Sequence, residues 1–134
     1  MKTVRYSVLA GIVASVSVAC GSSPTSVTPN GATYVVQVGS EQFAVRVTDQ
    51  ATAAKLDARM QSGKEGVILG RVATGNGGFN APWSWHLVPS SVTVADFAIE
   101  LCDGTPSYVE AHRDEWISSV RDYCPWSAKV VAVR

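Results

Sequence analysis

Both histidines, all four tryptophans and two of the three cysteines fall between Trp83 and Trp126. His86, Glu100 and Asp103 are the residues of that stretch best suited to hold a divalent ion. Imidazole with carboxylate suits zinc, and carboxylates alone suit calcium. The spacing is not that of a known metal motif: no HExxH occurs, and Glu110 and His112 would align poorly on a helix. The competing reading is a buried polar pair in which His86 hydrogen-bonds Glu100 across neighbouring strands, so that each satisfies the other. No cofactor is expected beyond such a metal. Covalent catalysis finds little support. No serine stands in G-x-S-x-G, and Ser84 lies too close in chain to His86 to form a triad with it alone. A short chain also leaves little room for a deep cleft. A non-enzymatic protein is expected.

Residues 74–82 carry Gly75, Gly77 and Gly78 and lead into Trp83. Glycines let backbone approach a partner closely, and aromatic side chains are enriched among interface hot spots. Phe79, Asn80 and Trp83 are therefore the candidate binding residues, with an unknown protein or a small surface ligand as partner. The loop is also similar to glycine-rich and Pro-Trp segments of cysteine-protease inhibitors, so protease inhibition through residues 74–83 is the second reading. A metal site around His86 and Glu100 is the third.

The N-terminus points to export. Lys2 and Arg5 precede an apolar run from Tyr6 to Val18, and small residues lead into Cys20. That run is shorter than the roughly 20 apolar residues a membrane span needs. Ser17-Val18-Ala19-Cys20 resembles the bacterial lipobox, which implies cleavage before Cys20 and lipidation of that residue. The alternative is ordinary signal cleavage and a secreted chain. Residues 1–19 are expected to be the signal peptide, 20–32 a flexible Ser/Thr/Pro/Gly tether and 33–134 one domain. Membrane contact would be through the N-terminal lipid only.

Lipidation of Cys20 leaves Cys102 and Cys124 as a pair in a compartment that permits disulfides. Bridging them would stabilise the fold by about 3 kcal/mol through loop closure; two separate buried thiols are the alternative. Without Lys2 and Arg5 the chain carries nine basic and eleven acidic residues, which argues against a nucleic-acid partner. Asp96, Glu100, Asp103, Glu110, Asp114, Glu115 and Asp122 crowd one stretch, which favours cationic partners.

These residues need a scaffold. Thr33–Val38 and Gln42–Thr48 read as a hairpin around Gly39-Ser40-Glu41, with Phe43, Val45 and Val47 on the buried face. Asp49 caps a helix over Gln50–Ser62 whose stripe is Ala53, Leu56 and Met60, and Gly63 ends it. Val67–Ala73, Trp83–Val88 and Val92–Cys102 follow as strands, the last two forming a hairpin. In the last, Phe97, Ile99 and Leu101 alternate beyond a bulge near Ala95-Asp96. Pro106 opens a short helix, and Lys129–Val133 is a terminal strand. Trp85 and Trp126 are expected in the core. The fold class is α+β: a mainly antiparallel sheet, one main helix packed on it, and one disulfide.

Several runs carry a family resemblance: Thr48-Asp49, Gly70-Arg71-Val72, Asn80, Pro82-Trp83-Ser84-Trp85-His86-Leu87, Pro89, Ala98-Ile99-Glu100-Leu101-Cys102-Asp103, Ser107-Tyr108-Val109-Glu110 and Cys124-Pro125-Trp126. Residues 34–133 thereby resemble small exported domains labelled calmodulin-binding-protein-like. The resemblance implies a compact β-rich fold with Cys102 and Cys124 bridged. Calmodulin binding itself is not expected, because the helix carries Lys55 and Arg59 against Asp57 rather than a strongly basic face.

Overall fold

The computed structural model describes residues 31–134; the expected signal segment and Cys20 lie outside them. β1 (Ala32–Val38) and β2 (Glu41–Val47) form the antiparallel hairpin, with Tyr34 opposite Val45 and Val36 opposite Phe43. Tyr34, Val36, Val38, Phe43, Val45 and Val47 are all buried, as the alternation requires. β7 (Lys129–Val133) pairs with the other edge of β1, giving the order β2-β1-β7.

α1 (Gln50–Ser62) begins where Asp49 accepts from the amide of Thr52 at 2.7 Å. Its hydrogen bonds to Thr52 hold the Asp49 carboxyl below the usual carboxylate range. Gly63 ends the helix in the left-handed conformation (φ 64°), its amide donating to Arg59 O. Ala53 and Leu56 are buried, and Met60 is partly buried against the same core. Tyr34 Oη donates to Ala53 O at 3.2 Å and to Asp57 Oδ1 at 2.9 Å, fastening the helix to β1.

β3 (Val67–Thr74) is the hub of a second sheet. Residues 72–74 pair with β4 (Trp85–Leu87), residues 67–69 with β5 (Thr93–Ala95), and Gly70 and Arg71 with β6 (Asp122–Tyr123). The expected hairpin of the fourth and fifth strands does not form. Between β4 and β5 the chain makes a turn at Pro89–Ser91. Val88 N donates to Arg71 O at 2.9 Å, and Ser91 Oγ accepts from Arg71 N at the same distance. The turn thus keeps to one edge of β3, and β4 and β5 run in line along it. The expected strand over Val92–Cys102 stops at Ala95 for a related reason. Its partner β3 begins at Val67, opposite Ala95, so the chain beyond has no ladder to extend. Phe97, Ile99 and Leu101 consequently do not point into the core.

Beyond β5 a single 3-10 turn, Glu100–Cys102, leads to the Cys102–Cys124 disulfide (Cα–Cα 5.1 Å), which is buried against Val67. Thr105 caps α2 (Pro106–Ala111), which runs on through α3 (Arg113–Glu115) and a π-turn at Trp116–Val120. Arg121, at φ 71°, closes that turn and hands its carbonyl to Val72 N at 2.8 Å. Phe43, Trp85, Tyr123 and Trp116 meet at the centre with ring centroids 5.3–6.2 Å apart, mostly edge to face. The molecule is thus α+β, with mainly antiparallel sheets, one main helix and one disulfide. Trp85 is fully buried, whereas Trp126 is 42 % exposed. It is Trp116, not Trp126, that fills the core beside Tyr123.

Candidate functional site

The glycine-rich segment is a pair of turns pinned at both ends. Gly75 N donates to Ser84 O at 2.7 Å. Asn76 Oδ1 accepts from Gly78 N, and Asn76 O accepts from the amides of Phe79 and Asn80. Gly77 is required here: its φ is 63°, and a Cβ would stand 2.7 Å from the Phe79 ring and 2.9 Å from that of His86. The space so left lets Phe79 pack edge-on to His86, with ring centroids 5.6 Å apart. His86 Nδ1 lies 2.6 Å from Gly75 O. A carbonyl can only accept, so the proton sits on Nδ1.

The three residues read as binding positions divide. Asn80 is wholly buried. Its Oδ1 accepts from Ala44 N at 2.6 Å and its Nδ2 donates to Trp85 O at 2.8 Å, joining β2 to β4. It is correctly described as an internal clamp rather than a contact residue. Trp83 is half-buried, stacks on Trp85 and donates from Nε1 to Gln42 O at 2.8 Å. Phe79 alone is presented to an open groove.

That groove, of about 700 Å³, is bounded by Thr33, Arg46, Asn76, Gly78, Phe79 and Arg134 among others. Arg46 stands over the Phe79 ring, Cζ 4.7 Å from its centroid, and Nε donates to Thr33 Oγ1 at 3.3 Å. Cross-strand pairing of Thr33 with Arg46 makes this contact possible. The stacking and the hydrogen bond together fix the guanidinium plane. Among the described residues the ion pairs are Arg59–Asp96 and Arg113–Asp114, so Arg46 has no carboxylate partner there. The groove lining holds two arginines and no acidic side chain. Arg46 was legible only as a polar position in β2; its role depends on the loop folding back over the hairpin.

The residues considered for metal binding stand apart. His86 faces Phe79, whereas Glu100 is exposed beside Leu101, beyond the end of β5. They are not cross-strand neighbours, because β4 and β5 both pair with β3 and not with each other. The His86–Glu100 pair, metal-bound or buried, is therefore corrected. Asp103 Oδ1 accepts from Trp126 N at 3.0 Å and so ties down the chain after Cys124. No three His, Cys, Asp or Glu side chains converge among the described residues. Glu110 instead accepts from Ser84 N at 2.9 Å and from Ser84 Oγ at 2.5 Å, while Arg113 Nη1 donates to the same hydroxyl. His112 lies on Tyr108, centroids 4.1 Å apart.

No curated protein and no solved structure matches the chain. The family model for the BP-74 N-terminal domain, by contrast, matches residues 30–134, the whole of the folded region just described. With that match spanning most of the sequence, the chain belongs to the BP-74 N-terminal domain family.

Proposed function

We propose that the chain is a non-enzymatic binding domain on the extracytoplasmic side of a membrane, tethered by a lipid on Cys20. Its ligand is an acidic molecule, carrying carboxylate or phosphate, taken up in the groove between Arg46, Phe79 and Arg134. The observation that carries this reading is the fixed Arg46 guanidinium, stacked on Phe79 without a carboxylate partner among the described residues. Such a group offers paired N–H donors in a plane that suits carboxylate or phosphate oxygens. The overall acidity of the chain favoured cationic partners, but the sign of the charge in this groove is the opposite.

The test is a titration with inorganic phosphate, citrate and a short acidic peptide, followed by amide chemical shifts. Shifts are expected at Thr33, Arg46, Gly78 and Phe79, and they should vanish in Arg46→Gln. A panel that moves none of these amides would defeat the reading, as would shifts that survive the substitution. Tethering is tested separately: Cys20→Ala should release the chain from membranes.

Protease inhibition through residues 74–83 is the second reading. It is supported by the hydrogen bonds that hold the loop rigid before any partner arrives, since such preorganisation lowers the cost of binding. An inhibitor loop has to project into a cleft, and the concave wall around Phe79 favours the ligand reading. A panel of cysteine and serine proteases separates the two.

A further inference from the structure

The largest apolar side chains left in solvent are neither in the groove nor near the glycine loop. Phe97 is 87 % exposed, and Ile99 and Leu101 are each 68 % exposed. They stand at alternate positions on the segment that leaves β5 and runs to the disulfide. Tyr108, 49 % exposed, lines a second open groove with Leu101 and the edge of Trp116. Scattered exposed leucines are ordinary, but several large apolar residues on one short segment mark an interaction surface. The charges around them are of one sign. Glu100, Asp103 and Glu115 line the same groove, and no basic residue does.

We infer that this face docks a protein segment carrying lysine or arginine beside aliphatic or aromatic side chains. The apolar residues would be covered by the partner's apolar side chains, and its cations would meet the carboxylate rim. An anionic bilayer is a worse occupant, because Glu100 and Asp103 flank Leu101 and would be driven against like charge. A second copy meeting the same face would also set carboxylate against carboxylate. This surface is separate from the Arg46 groove, so it does not depend on the reading proposed there.

The probe is a short peptide of alternating lysine and leucine, with an alternating glutamate and leucine peptide as its control. Amide shifts should appear at residues 97–103 and at Tyr108 with the lysine peptide only. Affinity should fall as salt is raised. Phe97→Ser with Leu101→Ser should weaken binding about tenfold or more, as loss of interface anchors does. The melting temperature should hardly change, because both side chains are exposed. Glu115→Lys, which alters charge without removing apolar surface, should also weaken it. Equal binding of both peptides would overturn the inference, as would shifts confined to other residues. So would sedimentation of the protein with phosphatidylglycerol vesicles, or concentration-dependent dimerisation, if either is lost in the Phe97→Ser, Leu101→Ser protein.

Discussion

Asn80 accepts a hydrogen bond from the backbone amide of Ala44 at 2.6 Å, across 36 residues of sequence and in full burial. The same side chain donates to Trp85 O. One loop amide thus satisfies an amide of β2 and a carbonyl of β4, each of which would otherwise be buried without a partner.

Asn80→Ala should therefore act on stability. Two buried backbone groups lose their partners together, and each such loss costs about 1–3 kcal/mol. A total of about 3 kcal/mol is expected in urea unfolding, with the Gly75–Trp83 turns loosened as well. Phe79→Ala, by contrast, removes a half-buried ring and should cost much less. If Asn80→Ala unfolded at the wild-type urea concentration, the clamp would have no energetic weight.

Gly75 and Gly77 offer a controlled comparison. Both have positive φ, so alanine at either incurs roughly 1 kcal/mol of backbone strain. A Cβ at Gly75 meets nothing within 4 Å, whereas one at Gly77 collides with the rings of Phe79 and His86. Gly77→Ala should then lose more stability than Gly75→Ala and shift the His86 ring resonances, while Gly75→Ala leaves those resonances in place. Equal effects in the two variants would mean that the Phe79–His86 contact does not depend on the missing Cβ.

Two buried tryptophans should respond differently to replacement by phenylalanine. Trp116 Nε1 donates to Asp122 O at 3.0 Å, while Trp85 Nε1 is buried with no hydrogen-bond partner. Both changes remove similar apolar area, but only Trp116→Phe breaks a bond and strands a carbonyl. It should cost about 1 kcal/mol more than Trp85→Phe, measured by chemical denaturation of both. A larger loss at Trp85 would show that its N–H is satisfied in solution after all.

The parts of the fold that came through from sequence are those set by local pattern. The β1–β2 hairpin follows from alternation around Gly39, and α1 from Asp49, the Leu56 stripe and Gly63. The errors arose where a pattern needed a partner that sequence does not display. Phe97, Ile99 and Leu101 alternate as a buried strand would, yet β3 ends opposite Ala95 and leaves them outside. The His86–Glu100 pairing failed with the same hairpin. Asn80 and Trp83 stood out by residue type, which cannot distinguish a side chain facing a ligand from one facing Ala44 or Gln42. Arg46 drew no notice because its stacking on Phe79 joins two segments more than thirty positions apart.

The buried tyrosines predict how the fold should fail in alkali. Burial pushes the Tyr34 hydroxyl well above the ordinary tyrosine range, and the neighbouring Asp57 carboxylate adds to this. Burial does the same to Tyr123, with the negative charges of Asp103 and Glu41 contributing. In the unfolded chain both would ionise near pH about 10. The folded protein holds protons that the unfolded chain releases, so their contribution is intact below that pH and is lost as pH rises towards the folded-state values. Tyrosinate absorbance from these two residues should accordingly rise together with the loss of far-ultraviolet circular dichroism, in one transition above pH about 10. Tyr34→Phe should lower stability at neutral pH, since the bonds to Ala53 and Asp57 are gone, yet flatten the decline at high pH. Ionisation of both tyrosines while the circular dichroism stays native would show that the hydroxyls reach solvent without unfolding.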